Sequence, residues 1–330
     1  MEKVLITGAA GYIGSHTLRV ILESGRSVIA LDDFSTGNRW AIPAEVPLFE
    51  GDFSDLGLLR NIHRESPFDT IIHFAAKTSV EESVRDPSLY YSENTAKTIR
   101  LLDACRVLSI KNFIYSSTCA VYGSVKSMKS DGVNEGTPVN PESPYGWSKY
   151  LSERCITDIA QSVGMKYSIL RYFNVAGAHP DGSLGAENPK VRAMVTVAAE
   201  AAASMSPSLI INGDDYATRD GTCERDYIHV LDLAYAHLSA LKRLESGGSS
   251  EVFNCGYGKA FSVKDIIATM SKVSGKEIKS TIGKRRSGDL ESIFADSRKI
   301  RTLTDWLPRF DDISEICRSA YLWEISDREK

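Results

Sequence analysis

Residues 3–14, KVLITGAAGYIG, run a short aliphatic stretch straight into three glycines, Gly8, Gly11 and Gly14, set three residues apart. The continuation, SHTLRVILESG, has helical periodicity and closes on Gly25, where a left-handed cap is expected. SVIALDD then reads as a second strand. Glycines at a strand-to-helix turn let the backbone approach a diphosphate, and the helix N-terminus meets it with amides and positive dipole. Ala9 occupies the middle position of the strict G-x-G-x-x-G pattern, so the glycines alone are weak evidence. What completes the arrangement is Asp32, which ends the second strand eighteen residues past Gly14. A carboxylate there bonds the ribose hydroxyls of NAD and repels the additional phosphate of NADP.

The same rhythm persists to about residue 180: TIIHFAA, NTAKTIRLLDACRVL, NFIYSS, KYLSERCITDIAQSVG and YSILRYFN alternate strand and helix. Continuous apolar strands separated by helices demand a parallel sheet covered on both faces. The expected fold is α/β, a Rossmann-type doubly wound parallel sheet over residues 1–180. A smaller C-terminal α/β substrate domain is expected over 181–330, with parts of 220–260 returning to the first. A chain of 330 residues with 42% hydrophobic and 25% charged content is long enough for both. Its net charge of −4, without a run of five or six like charges, points to neither nucleic acid nor an anionic membrane. The six cysteines and six histidines are dispersed, without a C-x-x-C, so no metal site is expected and the cysteines read as reduced thiols in a cytoplasmic protein.

SPYGWSK, residues 143–149, places Tyr145 and Lys149 four residues apart, on one helical face. Alone, such a pair is most simply a half-buried ring beside a solvated cation. Together with TGAAGYIGSH, ALDDFSTGN, IIHFAA, YSSTCAVYG, LRYFNVAGAHPDG, DGTCERDYIHVLDLA and RRSGDL, it resembles the extended short-chain dehydrogenase/reductase superfamily, and most closely its UDP-galactose (UDP-glucose) 4-epimerases. The resemblance runs from residue 1 to about 325 and makes Tyr145 and Lys149 the catalytic pair, with Thr118 bonding the sugar's 4-hydroxyl. It implies NAD contacts from Gly8, Gly11, Tyr12, Ile13, Gly14, Asp32, Asp52, Phe53, Phe74, Ala75, Asn94, Tyr145, Lys149 and Phe173. For a UDP-sugar it implies Thr118, Asn174, Arg225, Arg286, Asp289 and Ile293. The reaction so implied inverts C4 of the sugar by removing and returning its hydride through a 4-keto intermediate.

Departures from the pattern gather around the sugar: Thr78, Arg192–Ala193, Asn212 and Ile293 stand where hexose epimerases carry other groups, while Glu93 and Lys97 alter the segment around Asn94. UDP-glucose/UDP-galactose is the first expectation, then UDP-xylose/UDP-arabinose, then UDP-glucuronate. Related dehydratases carry acids directly after the threonine, where this chain has Cys119-Ala120, which disfavours elimination. A non-catalytic NAD-binding protein of the same fold is the contrasting class; retention of both Tyr145 and Lys149 argues against it. A homodimer is expected through the helices of NTAKTIRLLDACRVL and YLSERCITDIAQSVG, the latter with an apolar stripe of Leu151, Ile156, Ile159 and Val163.

Overall fold

The computed structural model describes residues 3–125, 131–187, 193–285 and 290–326. The first half comprises β1 (Val4–Thr7), α1 (Tyr12–Glu23), β2 (Val28–Asp32), β3 (Leu48–Glu50), α2 (Leu56–Glu65), β4 (Thr70–His73), α3 (Val80–Arg85), α4 (Pro87–Tyr90), α5 (Lys97–Leu108), β5 (Asn112–Ser116), α6 (Pro144–Val163) and β6 (Lys166–Tyr172). There follow β7 (Asn174–Ala176), α7 (Met194–Ala203), β8 (Ser208–Asn212), β9 (Glu224–Arg225), β10 (Tyr227–His229), α8 (Val230–Glu245) and β11 (Glu251–Cys255). Last come β12 (Phe261–Ser262), α9 (Val263–Ser274), β13 (Lys279–Gly283), β14 (Ser292–Ile293), α10 (Arg298–Leu303) and α11 (Ile313–Ile325).

Seven strands form one parallel sheet in the order β11-β6-β5-β4-β1-β2-β3. The order reverses direction at β1, so the crevice for a ligand lies beyond the carboxyl ends of β1 and β4. Every residue of β1, β2, β4 and β5 is buried, because helices cover both faces. One apolar core packs α1, α7, α8, α9 and α11 on one side; the other packs α2, α5 and α6. Residues 230–255 supply α8 and the edge strand β11 to this sheet, while the short pairs β7–β10 and β8–β13 and the three-stranded β12–β9–β14 build the remainder.

Local chemistry sets the helix that matters most. Ser143 caps α6 by accepting from the Gly146 N–H at 3.1 Å, Pro144 enters at the first turn, and Gly164 (φ +72°) ends it in the left-handed conformation. A π-helical turn, Tyr91–Ala96, precedes α5 and re-aims Asn94.

Candidate active site

The glycine turn is as tight as the sequence requires. Gly8 has φ +70°, and a Cβ there would lie 2.6 Å from the Ala75 nitrogen at the end of β4. A Cβ on Gly14 would be driven into the carbonyl oxygen of Gly8, which keeps α1 close against β1. Gly11, the N-cap of α1, would meet only that oxygen, at 3.4 Å. No side chain caps α1 and its first turn holds no acid, so its amides and positive end face the crevice. These features fit a dinucleotide diphosphate. The Tyr12 hydroxyl is turned away, donating to the Gly177 carbonyl at 2.5 Å, and Ile13 packs on the core, leaving the backbone of both at the turn.

Asp32 ends β2 with Oδ2 accepting from the Ala10 N–H (2.9 Å) and Oδ1 from the Phe34 N–H (2.8 Å). Burial raises its carboxyl above the usual range and these two bonds oppose the rise. Asp52 follows β3, accepts from the Ser54 N–H at 2.8 Å and pairs with Lys97 at 2.9 Å. Burial alone would raise its carboxyl, but the ammonium and Ser54 outweigh it and hold the group below its ordinary value. Lys97 also bonds Glu93 at 2.7 Å, so the two departures around Asn94 form one ion network with Asp52.

Phe53 packs on His73 (ring centroids 4.7 Å), and the Phe74 ring lies on His237 of α8 (4.7 Å). Phe74 therefore offers the crevice its main chain, which bonds Thr7 through its N–H at 2.9 Å. Asn94 is buried and its amide is engaged: it accepts from the Lys77 N–H (2.8 Å) and donates to the Lys77 carbonyl and the Ser148 hydroxyl (3.0 Å each). It braces the chain after β4 against α6.

Tyr145 and Lys149 are both buried, 8% and 3% exposed. Thr118, the N-cap of a 3-10 turn after β5, accepts from the Ala120 N–H at 3.1 Å and lies near enough to Tyr145 for its hydroxyl to act on the phenol. Burial pushes the phenol of Tyr145 far up, with Tyr172 adding and Thr118 opposing. The Lys149 ammonium lies 4.3 Å from the centroid of the Tyr115 ring, and burial pulls it down to about 7, partly offset by Glu153. Tyr90 meets Tyr145 edge-on at 6.3 Å. The sequence signal for Tyr90 is nil, because it arrives from the separate helix α4.

On the substrate side, Phe173 and Ile293 sit in an apolar cluster with Val121, Tyr122, Val133 and Ala295. Asn174 is half-buried at the start of β7 and its N–H donates to the Asp226 carbonyl at 2.9 Å. Arg225 on β9 is in register with Ile293 on β14, and its charge acts on Cys119, whose thiol burial pushes up to about 12. The fold thus makes neighbours of Thr118, Cys119, Tyr145 and Arg225, with Ile293 beside Arg225. Arg286, Asp289 and Arg192 lie outside the described residues. Thr78 is exposed and Ala193 is the N-cap of α7. Among the described residues there is no group of three or more His, Cys, Asp or Glu able to hold a metal, and no helix is long and apolar enough to cross a membrane.

Residues 4–256 match the NAD dependent epimerase/dehydratase family. The UDP-glucose 4-epimerase of Azospirillum brasilense is 44% identical over 98% of this chain and 92% of that protein. Among solved structures, UDP-glucose 4-epimerase from Brucella ovis, in complex with NAD, superposes with a TM-score of 0.92 at 38% identity, covering 97% of this chain and 98% of that one. The UDP-Glc/GlcNAc 4-epimerase of Campylobacter jejuni has a TM-score of 0.84 at 44% identity, over 98% and 99% of the two chains. With a dinucleotide turn, an acidic end to β2 and a buried tyrosine–lysine pair all in place, the chain belongs to the NAD-dependent epimerase/dehydratase family.

Proposed function

We propose that this chain is a UDP-sugar 4-epimerase acting on UDP-glucose and UDP-galactose, with NAD as its resident cofactor. The observation that carries the reading is the buried Tyr145 phenol beside Thr118, one helical turn from a buried Lys149, with Cys119-Ala120 and no acid following the threonine. NAD, when bound, takes the C4 hydride and returns it. Thr118 orients the 4-hydroxyl and Tyr145 accepts its proton. A free phenol is ionised only about one part in a thousand at neutral pH, so the reaction needs a cation nearby; Lys149 is that cation. Arg225 holds the diphosphate, a task for which a forked guanidinium is suited. Once the sugar has turned and C4 has regained hydride on its opposite face, Tyr145 gives the proton back to the C4 oxygen.

The test is conversion of UDP-galactose to UDP-glucose by the purified enzyme; no conversion refutes the reading, and an accumulating 4-keto-6-deoxy sugar would replace it with dehydration. Ile293 favours a second reading, UDP-xylose/UDP-arabinose. It is 2% exposed in an apolar cluster and offers a sugar 6-hydroxyl no partner, an omission that costs about 1–3 kcal/mol on desolvation. Comparing kcat/KM for UDP-galactose, UDP-xylose, UDP-GlcNAc and UDP-glucuronate decides, and a pentose preference above about tenfold, or about 1.4 kcal/mol, overturns the first choice.

The working form is a homodimer in the cytoplasm. Six cysteines that form no disulfide with one another suit a reducing compartment. Ile99 and Val107 on α5 and Trp147, Leu151 and Val163 on α6 are exposed apolar side chains on neighbouring helices. The stripe expected on α6 divides: Ile156 is fully buried in the core beneath, so Leu151 and Val163 carry the outward face.

A further inference from the structure

The face of α6 that carries Tyr145 and Lys149 continues, four residues on, to Glu153, which the proposed chemistry leaves unused. Its carboxylate is buried against Arg171 of β6: Arg171 Nη2 lies 2.5 Å from Oε2, and Nε donates to Oε1 at 3.0 Å and Oε2 at 3.1 Å. The Ser117 hydroxyl, beside Thr118, donates to Oε1 at 2.5 Å. Arg171 Nη1 donates onward to the Tyr122 hydroxyl (3.1 Å), which donates to Asn254 Oδ1 (2.7 Å) on β11.

A buried ion pair of this kind is weak evidence for stability, since a hydrophobic pair of similar volume often folds as well or better. Its neighbour gives it another use. The titratable side chains around Lys149 are Tyr145 and Glu153, one turn either side of it on its own helix, His73 on β4 and Tyr115 on β5. Burial drives the His73 imidazole well below its ordinary range and the Tyr145 and Tyr115 phenols far above theirs, so these stay neutral. Glu153 is the anion in this group.

We propose that Glu153 is a positioning residue that strengthens the hold of Lys149 on its proton, and that Arg171 limits how much of the carboxylate's charge reaches it. The inference rests on the reading of Tyr145 and Lys149 as the proton-transfer pair. It makes two opposite predictions from one ion pair. Glu153→Gln removes the anion and strands the Arg171 cation, so Lys149 releases its proton more readily. Arg171→Gln strands the anion, so Lys149 holds its proton more tightly. A pair that merely braced α6 against β6 would not move the two variants in opposite directions.

The experiment titrates the NAD-loaded enzyme, labelled with isotope-enriched lysine, by NMR; the Lys149 ε-carbon signal is identified by its loss in Lys149→Met. The expected result is a fall in proton affinity of about tenfold in Glu153→Gln and a rise of similar size in Arg171→Gln. Glu153→Asp, which keeps the charge, should stay near wild type, and Glu153→Gln/Arg171→Gln, which leaves no unpaired ion, should fall between Glu153→Gln and wild type. Titrations that coincide with wild type, or that move together, overturn the proposal. Should a single variant not fold, a charge-free double variant titrating above wild type would refute it equally. The readout is independent of turnover: if Tyr145→Phe remains active the catalytic reading fails, whereas unmoved titrations with an inactive Tyr145→Phe sink only the role of the ion pair.

Discussion

Lys149→Met, in protein freed of dinucleotide, should trade activity for stability in a pH-dependent way. Burial lowers the ammonium from its ordinary 10.5 to about 7, so between those values the unfolded chain binds a proton that the folded chain does not. Stability therefore rises with pH across this window and levels off below it. At about 1.4 kcal/mol per tenfold in proton affinity, this group costs the folded state roughly 4 kcal/mol near pH 7 and about 2 kcal/mol near pH 9. Methionine fills the space of the lysine stem without the charge, so the variant should be the more stable protein at neutral pH. Urea unfolding of both proteins supplies the measurement: the difference in unfolding free energy should shrink by roughly 2 kcal/mol between about pH 7 and pH 9. A difference that does not depend on pH, or that grows, would refute the premise that Lys149 is a strained, desolvated cation retained for chemistry.

Gly14→Ala drives a methyl group into the Gly8 carbonyl, with Ala9 Cα 3.2 Å away, so α1 must retreat from β1; the expectation is a loss of about 1–3 kcal/mol in stability and loss of bound NAD on gel filtration. Retention of NAD by this variant would contradict the close-approach role of that glycine. Tyr145→Phe should keep NAD but lower turnover by at least about a hundredfold, and turnover within about tenfold of wild type in a coupled epimerase assay counts against Tyr145 as the base. Leu151→Glu, on the outward face of α6, should give a monomeric mass by light scattering at micromolar concentration while the fold, read by circular dichroism, stays intact; an unchanged dimer, or a wild-type monomer, would exclude that face.

Features that depend on a few consecutive residues are legible in the amino-acid sequence alone. Gly8, Gly11 and Gly14 with Asp32 follow from backbone reach and strand–helix alternation, and the left-handed conformations of Gly25 (φ +84°) and Gly164 (φ +72°) follow from the ends of helical patterns. The Tyr145–Lys149 spacing follows from helical pitch. One more turn of that spacing reaches Glu153, but its partner Arg171 stands eighteen residues away on β6, and only the packing of α6 on that strand brings them together. The same holds for Asp52 with Lys97, joined from the end of β3 and the start of α5. Apolar pattern assigns α6 a stripe without dividing it; the core takes Ile156 and leaves Leu151 outside. Phe74 likewise reads as a cofactor neighbour, yet its ring is drawn to His237 because α8, more than 150 residues along the chain, covers that side of the sheet. Local sequence sets backbone conformation and periodicity, because those depend on neighbours in the chain. Which buried charge meets which, and which side of a helix faces water, depends on segments remote in sequence competing for the same space, and the tertiary structure alone resolves that competition.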